Sequence, residues 1–377
     1  MILLEHGPAG RAALFDAPRR VIRADSGAEV AAALEALDQA QAEGLWAAGF
    51  VSYEAGYALE HRLSPLMPEG RRLPLLAFGL YEAPLPGAAF LARAETEATG
   101  AALSPAAPGW SAADHGAAIG RVLDYIAAGD IYQANLTMPM HATRTGTPPG
   151  LYGALRQRQP VGHGGYLALP DLPVLISRSP ELFFETDATG RIETRPMKGT
   201  APRASNPAHD AALRMELHQS PKNRAENLMI VDLLRNDIAR ISRVGTVRVP
   251  ELFAIESFAT VHQMVSRVTA ELIPGIAPSA LFRALFPCGS ITGAPKIRAM
   301  EIIRELEPAP RGAYCGATGW IAPDGAASFA VAIRTLTLYG EHDVAFGVGG
   351  GIVADSTPEG EYKEALWKAR FAALTHG

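Results

Sequence analysis

The alternation of polar and apolar residues near the end of the chain constrains the fold more than any other feature of the sequence. Residues 328–339 alternate over twelve positions, residues 340–342 provide a turn, and residues 343–353 form a second, glycine-rich run. This pattern predicts an antiparallel hairpin. Residues 181–186 and 191–195 predict a second hairpin. Because long helical patterns separate such hairpins, we expect an α+β fold in which layered antiparallel sheets form a β-sandwich core flanked by helices, and not a doubly wound parallel sheet.

The composition of residues 90–111 indicates a boundary within the chain. This segment is rich in Ala, Gly, Pro, Ser and Thr and shows no sustained apolar period, which is typical of a connecting segment. We therefore expect residues 1–111 to form a small N-terminal α/β subdomain plus linker. Residues 112–377 would form the larger domain, and the residues with recognisable chemistry all lie there.

Charge and cysteine content exclude several classes of function. The formal charge is −5, and no Lys/Arg block is present that would follow a phosphate backbone, so we expect no nucleic-acid partner. Cys288 and Cys315 are too few for a disulfide framework and lack the spacing of a zinc site. The N-terminus has no signal-peptide pattern, and no apolar run reaches the roughly 18 residues of a membrane span. These features predict a cytoplasmic protein without a membrane partner.

Acidic residues of two predicted helices are candidate metal ligands. Glu361, Glu364 and Lys368 have i, i+3, i+7 spacing and so share one helix face, directly after the glycine-rich residues 347–351. Glu226 lies in a second helical pattern that begins with Ser-Pro at residues 220 and 221. If the two helices converge, their carboxylates suit Mg²⁺, which prefers a few oxygen ligands plus water. The alternative is a solvated stripe of ion pairs.

Three further side chains are candidates for binding or catalysis. Arg334 interrupts an apolar strand face and needs an anion, either a bound carboxylate or a protein Asp or Glu. Tyr314 could donate a second hydrogen bond to such a ligand or merely pack. Lys198 precedes a glycine at a strand exit. Near a dication and Arg334, the pKa of its ammonium would fall and yield a nucleophilic amine; otherwise it is an exposed, inert lysine.

Several longer motifs resemble those of the chorismate-utilising enzymes, which include anthranilate, aminodeoxychorismate, isochorismate and salicylate synthases. The resemblance covers roughly residues 114–374 and is specific because it rests on many multi-residue matches. The matching segments are residues 129–133, 177–181, 195–200, 226–237, 286–296 and 314–316, together with Arg334, the glycine strand, Glu361, Glu364 and Lys368. It implies a fold like that of anthranilate synthase component I.

The resemblance also implies roles for individual residues. Glu226 and Glu364 resemble direct Mg²⁺ ligands, and Glu361 would act nearby through water. The remaining matches are to substrate-binding positions: Ser290, Gly349 and Gly351 at the ring carboxylate of chorismate, Tyr314 and Arg334 at the enolpyruvyl carboxylate, Lys368 near the metal, and Gly199 and Thr200 beside Lys198. A doubly charged substrate would thus meet a dication, cationic side chains and backbone donors, which offset its desolvation.

Two positions distinguish subgroups of the family. Isochorismate and salicylate synthases carry a lysine that activates water where this chain has Gln133, a residue typical of the aminating enzymes. Anthranilate synthases generally have alanine where this chain has Lys198, which resembles the lysine of aminodeoxychorismate synthase component I. The implied route is attack of Lys198 on C2 with loss of the C4 hydroxyl, followed by entry of ammonia at C4, giving 4-amino-4-deoxychorismate for 4-aminobenzoate and folate biosynthesis. The alternatives are anthranilate synthase component I or a non-catalytic chorismate-binding protein.

Two residues, Gln263 and Asn223, depart from the family pattern. Gln263 stands where most relatives have a histidine thought to donate a proton to the C4 hydroxyl, and glutamine cannot act as an acid. If residues 261–266 form a strand, His262 faces the opposite side and does not replace it. Asn223 stands where some relatives carry another glutamate. Neither cysteine has a glutaminase context, so the resemblance implies a separate glutamine amidotransferase subunit as the source of ammonia.

Overall fold

A computed structural model describes residues 1–258 and 261–374, and it contains helices on the outside of two large sheets. The helices are α1 Gly27–Ala42, α2 Ala55–Leu59, α3 Ala88–Glu97, α4 Ala112–Ala127, α5 Pro148–Arg158, α6 Pro207–Gln219, α7 Pro221–Ala239, α8 Pro278–Leu285, α9 Lys296–Leu306 and α10 Pro358–Ala369. Among the described residues, no helix is both long and apolar enough to span a lipid bilayer.

The strands are short at the N-terminus and longest around the candidate functional residues. They are β1 Ile2–Leu4, β2 Ala13–Phe15, β3 Arg20–Ala24, β4 Trp46–Val51, β5 Leu76–Tyr81, β6 Leu85–Pro86, β7 Ala102–Leu103, β8 Ala107–Pro108, β9 Gln133–Thr145, β10 His163–Leu167, β11 Val174–Ser179, β12 Leu182–Thr186, β13 Arg191–Thr194, β14 Met197–Pro202, β15 Arg248–Ser257, β16 Val261–Glu271, β17 Gly293–Ala294, β18 Ala317–Ile321, β19 Ala327–Val331, β20 Thr335–Tyr339 and β21 Asp343–Ile352.

Two antiparallel sheets pack face to face. One has the order β17-β9-β21-β20-β11-β10-β1-β2-β6, and the other has the order β14-β16-β13-β12-β19-β18-β4-β5-β3. Buried side chains of both sheets, such as Ile2 and Phe15 from one and Phe50 and Trp320 from the other, share a single apolar cluster. Helices cover the outer faces, where they bury separate clusters. The predicted α+β fold with layered antiparallel sheets is therefore confirmed.

The first 111 residues contribute strands to both sheets. β1, β2 and β6 lie at one edge of the first sheet, while β3, β4 and β5 lie at one edge of the second. The segment expected to be a connector begins within α3, whose Phe90 and Ala94 are buried. Composition missed this helix because only two of its side chains reach the core. The division into a subdomain of residues 1–111 and a domain of residues 112–377 stays a prediction.

The prediction of one continuous strand over residues 328–339 is wrong. β19 belongs to the second sheet and β20 to the first, so the chain crosses between the sheets at residues 332–334. Arg334 has a φ of 50°, in the left-handed region that non-glycine residues seldom adopt. Its carbonyl accepts a 3.0 Å hydrogen bond from the Arg178 amide, which fixes the crossing. Arg334 therefore lies at the junction of the two sheets and not on a strand face.

Candidate active site

One cavity of about 640 Å³ lies among the strands β14 and β21 and the helices α7 and α10. Every site residue predicted from the sequence lines it: Lys198, Gly199, Thr200, Glu226, Ser290, Tyr314, Arg334, Gly349, Gly351, Glu361, Glu364 and Lys368. The structure thus brings together residues from seven separate parts of the chain. Their individual roles stay predictions.

The glycines of β21 allow charged groups to approach its backbone from two sides. A Cβ atom at Gly350 would lie 3.3 Å from Glu361 Oε2 and 3.5 Å from Glu364 Oε1. A Cβ atom at Gly351 would lie 3.3 Å from Lys198 Nζ. Side chains at these two positions would therefore crowd the acidic pair and the lysine, respectively. Glycine is required here by close approach and not by a special backbone angle.

The helix α10 carries the acidic residues Glu361 and Glu364, which line the cavity. Thr357 caps the helix, since its Oγ1 accepts a hydrogen bond from the Gly360 amide. The preceding residue, Ser356, donates a 2.6 Å hydrogen bond to Glu361 Oε1. Glu364 forms a 2.8 Å ion pair with Lys368. Ser356 therefore orients Glu361, and Lys368 orients Glu364.

The carboxylates of the two helices influence one another electrostatically. Burial raises the pKa of Glu226, opposed by Lys198 and Lys222, and the nearby Glu364 raises it further. Burial also raises the pKa of Glu361. Burial is the largest single influence on Glu364 and acts in the same direction, but Lys368, Lys198 and Lys222 together lower the pKa of that carboxyl. Negative charge on Glu226 and Glu361 is therefore incompletely balanced by the protein, as expected where a cation binds.

The fit of this donor set to Mg²⁺ rests on its chemistry. As the side chains stand, no three acidic, histidine or cysteine residues within 1–258 and 261–374 are arranged to enclose a metal ion. Mg²⁺, however, commonly uses one or two carboxylates together with several waters and substrate oxygens. Glu226 on one wall and Glu361 and Glu364 on another offer such oxygens to a shared cavity. The residues present therefore fit this ion.

Lys198 occupies an irregular position of β14 that points its side chain into the cavity. The pairing of β14 with β16 shifts register between Met197 and Thr200, so Lys198 and Gly199 form a β-bulge. Burial and, next, the ammonium of Lys368 lower the pKa of Lys198. Both effects favour the neutral amine, which is the nucleophilic form.

Arg334 is a partly buried cation that forms no ion pair with any residue in 1–258 or 261–374. Burial alone lowers the pKa of its guanidinium, with no contribution from any nearby carboxylate of the described residues. Of the two explanations left open by the sequence, an anionic ligand is therefore favoured over a protein Asp or Glu. Tyr314 lines the same cavity, and its ring packs directly on Gly347.

Glu181 is a site residue that sequence reasoning missed. It lines the cavity and is 5% exposed, and its Oε1 has no hydrogen-bond partner among the described residues. Burial raises the pKa of its carboxyl, although Ser290 and Lys198 oppose that shift. A neutral carboxylic acid beside Lys198 is a proton donor. The sequence did contain a feature that could have identified it, because this carboxylate lies directly before an apolar strand, within a motif already matched to the family.

Gln133 and Gln263 have different surroundings. Gln133 is fully buried, neither atom of its amide has a described hydrogen-bond partner, and its Nε2 lies 2.8 Å from the Cβ position of Gly351. Gln263 lines the cavity, whereas the neighbouring His262 is buried on the other side of β16 and hydrogen-bonds Asp210 and Ser257. The sequence-based expectation that His262 does not replace the missing histidine agrees with this geometry.

The fold and the cavity define a class of enzyme, and comparison with known proteins identifies the same class. A family model described as chorismate binding enzyme matches residues 1–373. The chain belongs to this family, which confirms the resemblance inferred from its motifs.

Relatives with assigned names fall into two groups. The aminodeoxychorismate synthase component 1 of Escherichia coli strain K12 is 46% identical over 248 residues, covering 66% of this chain and 54% of the relative. The anthranilate synthase component 1 of Streptomyces coelicolor is 42% identical over 309 residues, covering 81% of this chain and 59% of the relative. The chain thus spans a little over half the length of these relatives.

A solved structure supports the fold over nearly the whole chain. The crystal structure of anthranilate synthase component I from Streptococcus pneumoniae TIGR4 gives a TM-score of 0.81 at 27% sequence identity, covering 95% of this chain and 91% of that one. The predicted likeness to anthranilate synthase component I is therefore confirmed for the fold.

Proposed function

We propose that this chain is the component of an aminodeoxychorismate synthase that converts chorismate and ammonia to 4-amino-4-deoxychorismate. The observation that carries the proposal is the position of Lys198, whose Nζ approaches the backbone of Gly351 within the cavity that also contains Arg334. A nucleophilic amine is thereby placed inside a site for a dianion. The name of the relative from Escherichia coli agrees with this assignment.

Charge complementarity orients the substrate in the proposed complex. Arg334 and Tyr314 bind the enolpyruvyl carboxylate, and Arg334 supplies a fixed fork of donors for it. Ser290 and the backbone amides of Gly349 and Gly351 bind the ring carboxylate at the other end. The carbonyl of Gly349 already accepts a 2.7 Å hydrogen bond from Lys368, so only its N–H faces a ligand. This two-point binding sets the ring between Lys198 and Glu181.

The chemistry then proceeds in two displacements at the ring. The neutral amine of Lys198 forms a bond to C2, the two ring double bonds shift, and the C4–O bond breaks. Glu181 gives its proton to the departing hydroxyl, which leaves as water. Ammonia next forms a bond to C4, the double bonds shift back, and the bond from C2 to Lys198 breaks. The proton released by ammonia returns to the Lys198–Glu181 pair, which restores the starting state.

The pH dependence of amination tests the pairing of Lys198 with Glu181. Their productive form carries one proton, because attack needs the neutral amine and departure needs the carboxylic acid. The rate is therefore expected to fall at low pH, when the pair gains a second proton, and at high pH, when it loses the last one. Glu181→Gln should lower kcat about 10²-fold and abolish the high-pH limb. The profile is measured at constant free ammonia, and a surviving high-pH limb in this variant would exclude Glu181 as the acid.

The proposal includes Mg²⁺ at Glu226, Glu361 and Glu364. When bound, the ion would hold the ring carboxylate of chorismate and offset its charge.

Chelation with EDTA is expected to abolish amination, and added Mg²⁺ to restore it. Glu226→Gln should raise the Mg²⁺ concentration for half-maximal activity at least about tenfold, because one charged ligand is lost. The control is Glu359→Gln, since this exposed residue of α10 pairs with Lys363 at the surface. Equal Mg²⁺ dependence of wild type and Glu226→Gln would contradict the metal site.

Analysis of the product tests the proposed function. The protein is incubated with chorismate, Mg²⁺ and ammonium, with and without a pyridoxal-phosphate lyase that acts on 4-amino-4-deoxychorismate. We expect 4-amino-4-deoxychorismate alone without the lyase and 4-aminobenzoate with it. Glutamine should support the reaction only when a glutamine amidotransferase is added, which is the separate partner that we propose. The cytoplasm is the compartment in which we propose that both proteins work.

Anthranilate synthase is the second candidate, because a relative from Streptomyces coelicolor with 42% identity carries that name. That enzyme would eliminate pyruvate and release anthranilate in the same assay without the lyase. Lys198 distinguishes the two, since a covalent route through an amine has no counterpart in a site with alanine. Tight chorismate binding without any product would instead indicate a non-catalytic binding protein.

A further inference from the structure

The bulge that carries Lys198 is held by a side chain from the neighbouring strand. Met197 pairs with Val265 and Thr200 pairs with Gln263, so three steps along β14 match only two along β16. The extra residue falls at Lys198 and Gly199, and Gly199 has a φ of 86°. Such bulges occur beside active sites, where they redirect a side chain. The direction of the Lys198 side chain therefore depends on what stabilises this irregular backbone.

The Gln263 side chain forms one hydrogen bond to the bulge and one to the residue directly after it. Its Nε2 donates to the Gly199 carbonyl at 2.9 Å, and its Oε1 accepts from Thr200 Oγ1 at 3.0 Å. One amide group thus spans the left-handed glycine and the residue after it. An amide suits this task because it is a donor and an acceptor at once and is neutral at every physiological pH.

A second neutral amide residue supports the bulge from the opposite side. A Cβ atom at Gly199 would lie 2.9 Å from Asn223 Oδ1, so the Asn223 side chain packs directly on the glycine. Asn223 is itself fixed, since its Nδ2 donates a 2.9 Å hydrogen bond to Ser220 Oγ at the start of α7. The bulge is therefore enclosed by the Gln263 amide on one strand and by Asn223 on one helix.

We propose that Gln263 is a positioning residue that fixes the Lys198–Gly199 bulge, so that the lysine amine stays aimed into the cavity. Gln263 does not exchange protons with the substrate; it acts through the backbone of Gly199 and the hydroxyl of Thr200. Gln263, which stands where most relatives have histidine, then has a structural role and not an acid–base role. The inference rests on the proposed function insofar as Lys198 is the nucleophile.

The experiment compares Gln263→Leu, Gln263→Glu and the wild-type protein. Leucine removes both hydrogen bonds, whereas glutamate keeps an acceptor for Thr200 and loses the donor to Gly199. Because misplacement of a reacting group by about 1 Å can cost about a hundredfold, Gln263→Leu should lower kcat for amination by about that factor, with KM for chorismate within about twofold. Gln263→Glu should lie between Gln263→Leu and wild type. Gln39→Leu, the same change at an exposed position of α1, should match wild type.

Amide hydrogen exchange of residues 197–202 gives a readout that does not depend on catalysis. This segment should exchange at least about tenfold faster in Gln263→Leu than in wild type, while the peptide containing β11 keeps its rate. If Gln263→Leu fails to fold, Thr200→Val removes one of the two bonds from an exposed hydroxyl and should give a smaller change in the same direction. If wild type makes no aminated product, the proposed function fails, and the exchange result alone decides whether Gln263 fixes the bulge.

Two results would overturn the inference. Unchanged exchange of residues 197–202 in Gln263→Leu would show that the amide does not hold the bulge. Faster exchange with unchanged kcat would show that the bulge does not position the nucleophile. A change in KM for chorismate without a change in kcat would show the same.

Discussion

Replacing Lys198 by alanine is expected to lower kcat for amination of chorismate by about 10³-fold or more. Alanine has no nucleophile, and the remaining residues can bind and orient the substrate but cannot form the bond to C2. The dissociation constant for chorismate should change little, because the carboxylates of the substrate are bound by Arg334 and by the residues around Gly349. Product formation is followed by coupling to the lyase, and chorismate binding is measured by titration calorimetry in the presence of Mg²⁺.

A matched control separates the role of the amine from the general loss of a positive charge. Lys363→Ala removes an exposed lysine of α10 that pairs with Glu359 at the surface, and it should keep wild-type kcat. Amination by Lys198→Ala at the wild-type rate would remove the covalent step from the mechanism. If the amination rate falls only because chorismate binds more weakly, Lys198 acts in binding alone.

Replacing Arg334 by alanine is expected to produce the largest loss of substrate affinity. A charge-assisted hydrogen bond contributes about 2–3 kcal/mol, so the dissociation constant for chorismate should rise by about 30- to 150-fold. Arg334→Lys should recover only part of the affinity, because an ammonium cannot form the two parallel bonds of a guanidinium to a carboxylate. Binding is again measured by calorimetry, and thermal unfolding shows whether each variant is folded.

The control for Arg334 is Arg283→Ala, which removes an exposed arginine of α8 and should leave chorismate affinity unchanged. Arg334 has a left-handed backbone, so alanine at this position also tests whether the crossing between the sheets tolerates the change. A folded Arg334→Ala variant with wild-type affinity would contradict the assignment of this residue to the enolpyruvyl carboxylate.

Local sequence patterns predicted the elements whose periodicity is uninterrupted. The helix α7 was expected from the helical pattern that begins at residues 220 and 221, and its Ile230, Leu234 and Ile238 side chains are buried. The hairpin of β20 and β21 was expected from alternation and a glycine turn. The crossing at Arg334 could not be found in this way, because the alternation continues through it. Only the long-range pairing of β19 with β12 and of β20 with β11 separates the two strands.

The candidate site was predictable where a motif places several charged residues at fixed spacing. Glu361, Glu364 and Lys368 share a helix face by geometry alone, and the family motifs located Lys198 and Arg334. The partners that control these residues were not predictable, because they come from distant parts of the chain. Glu181 approaches Lys198 from the short connection between β11 and β12, and Gln263 hydrogen-bonds Gly199 at a bulge that no local pattern indicates.

Mass spectrometry of the protein tests most directly whether the amine of Lys198 forms a covalent bond to the substrate ring. The protein is mixed with chorismate and Mg²⁺ in the absence of ammonia, quenched with acid, and digested. We predict a mass increase equal to chorismate minus one water on the peptide that contains Lys198, which disappears when ammonium is added before the quench and never forms in Lys198→Ala. An unmodified Lys198 peptide in a preparation that aminates chorismate at full rate would contradict the account.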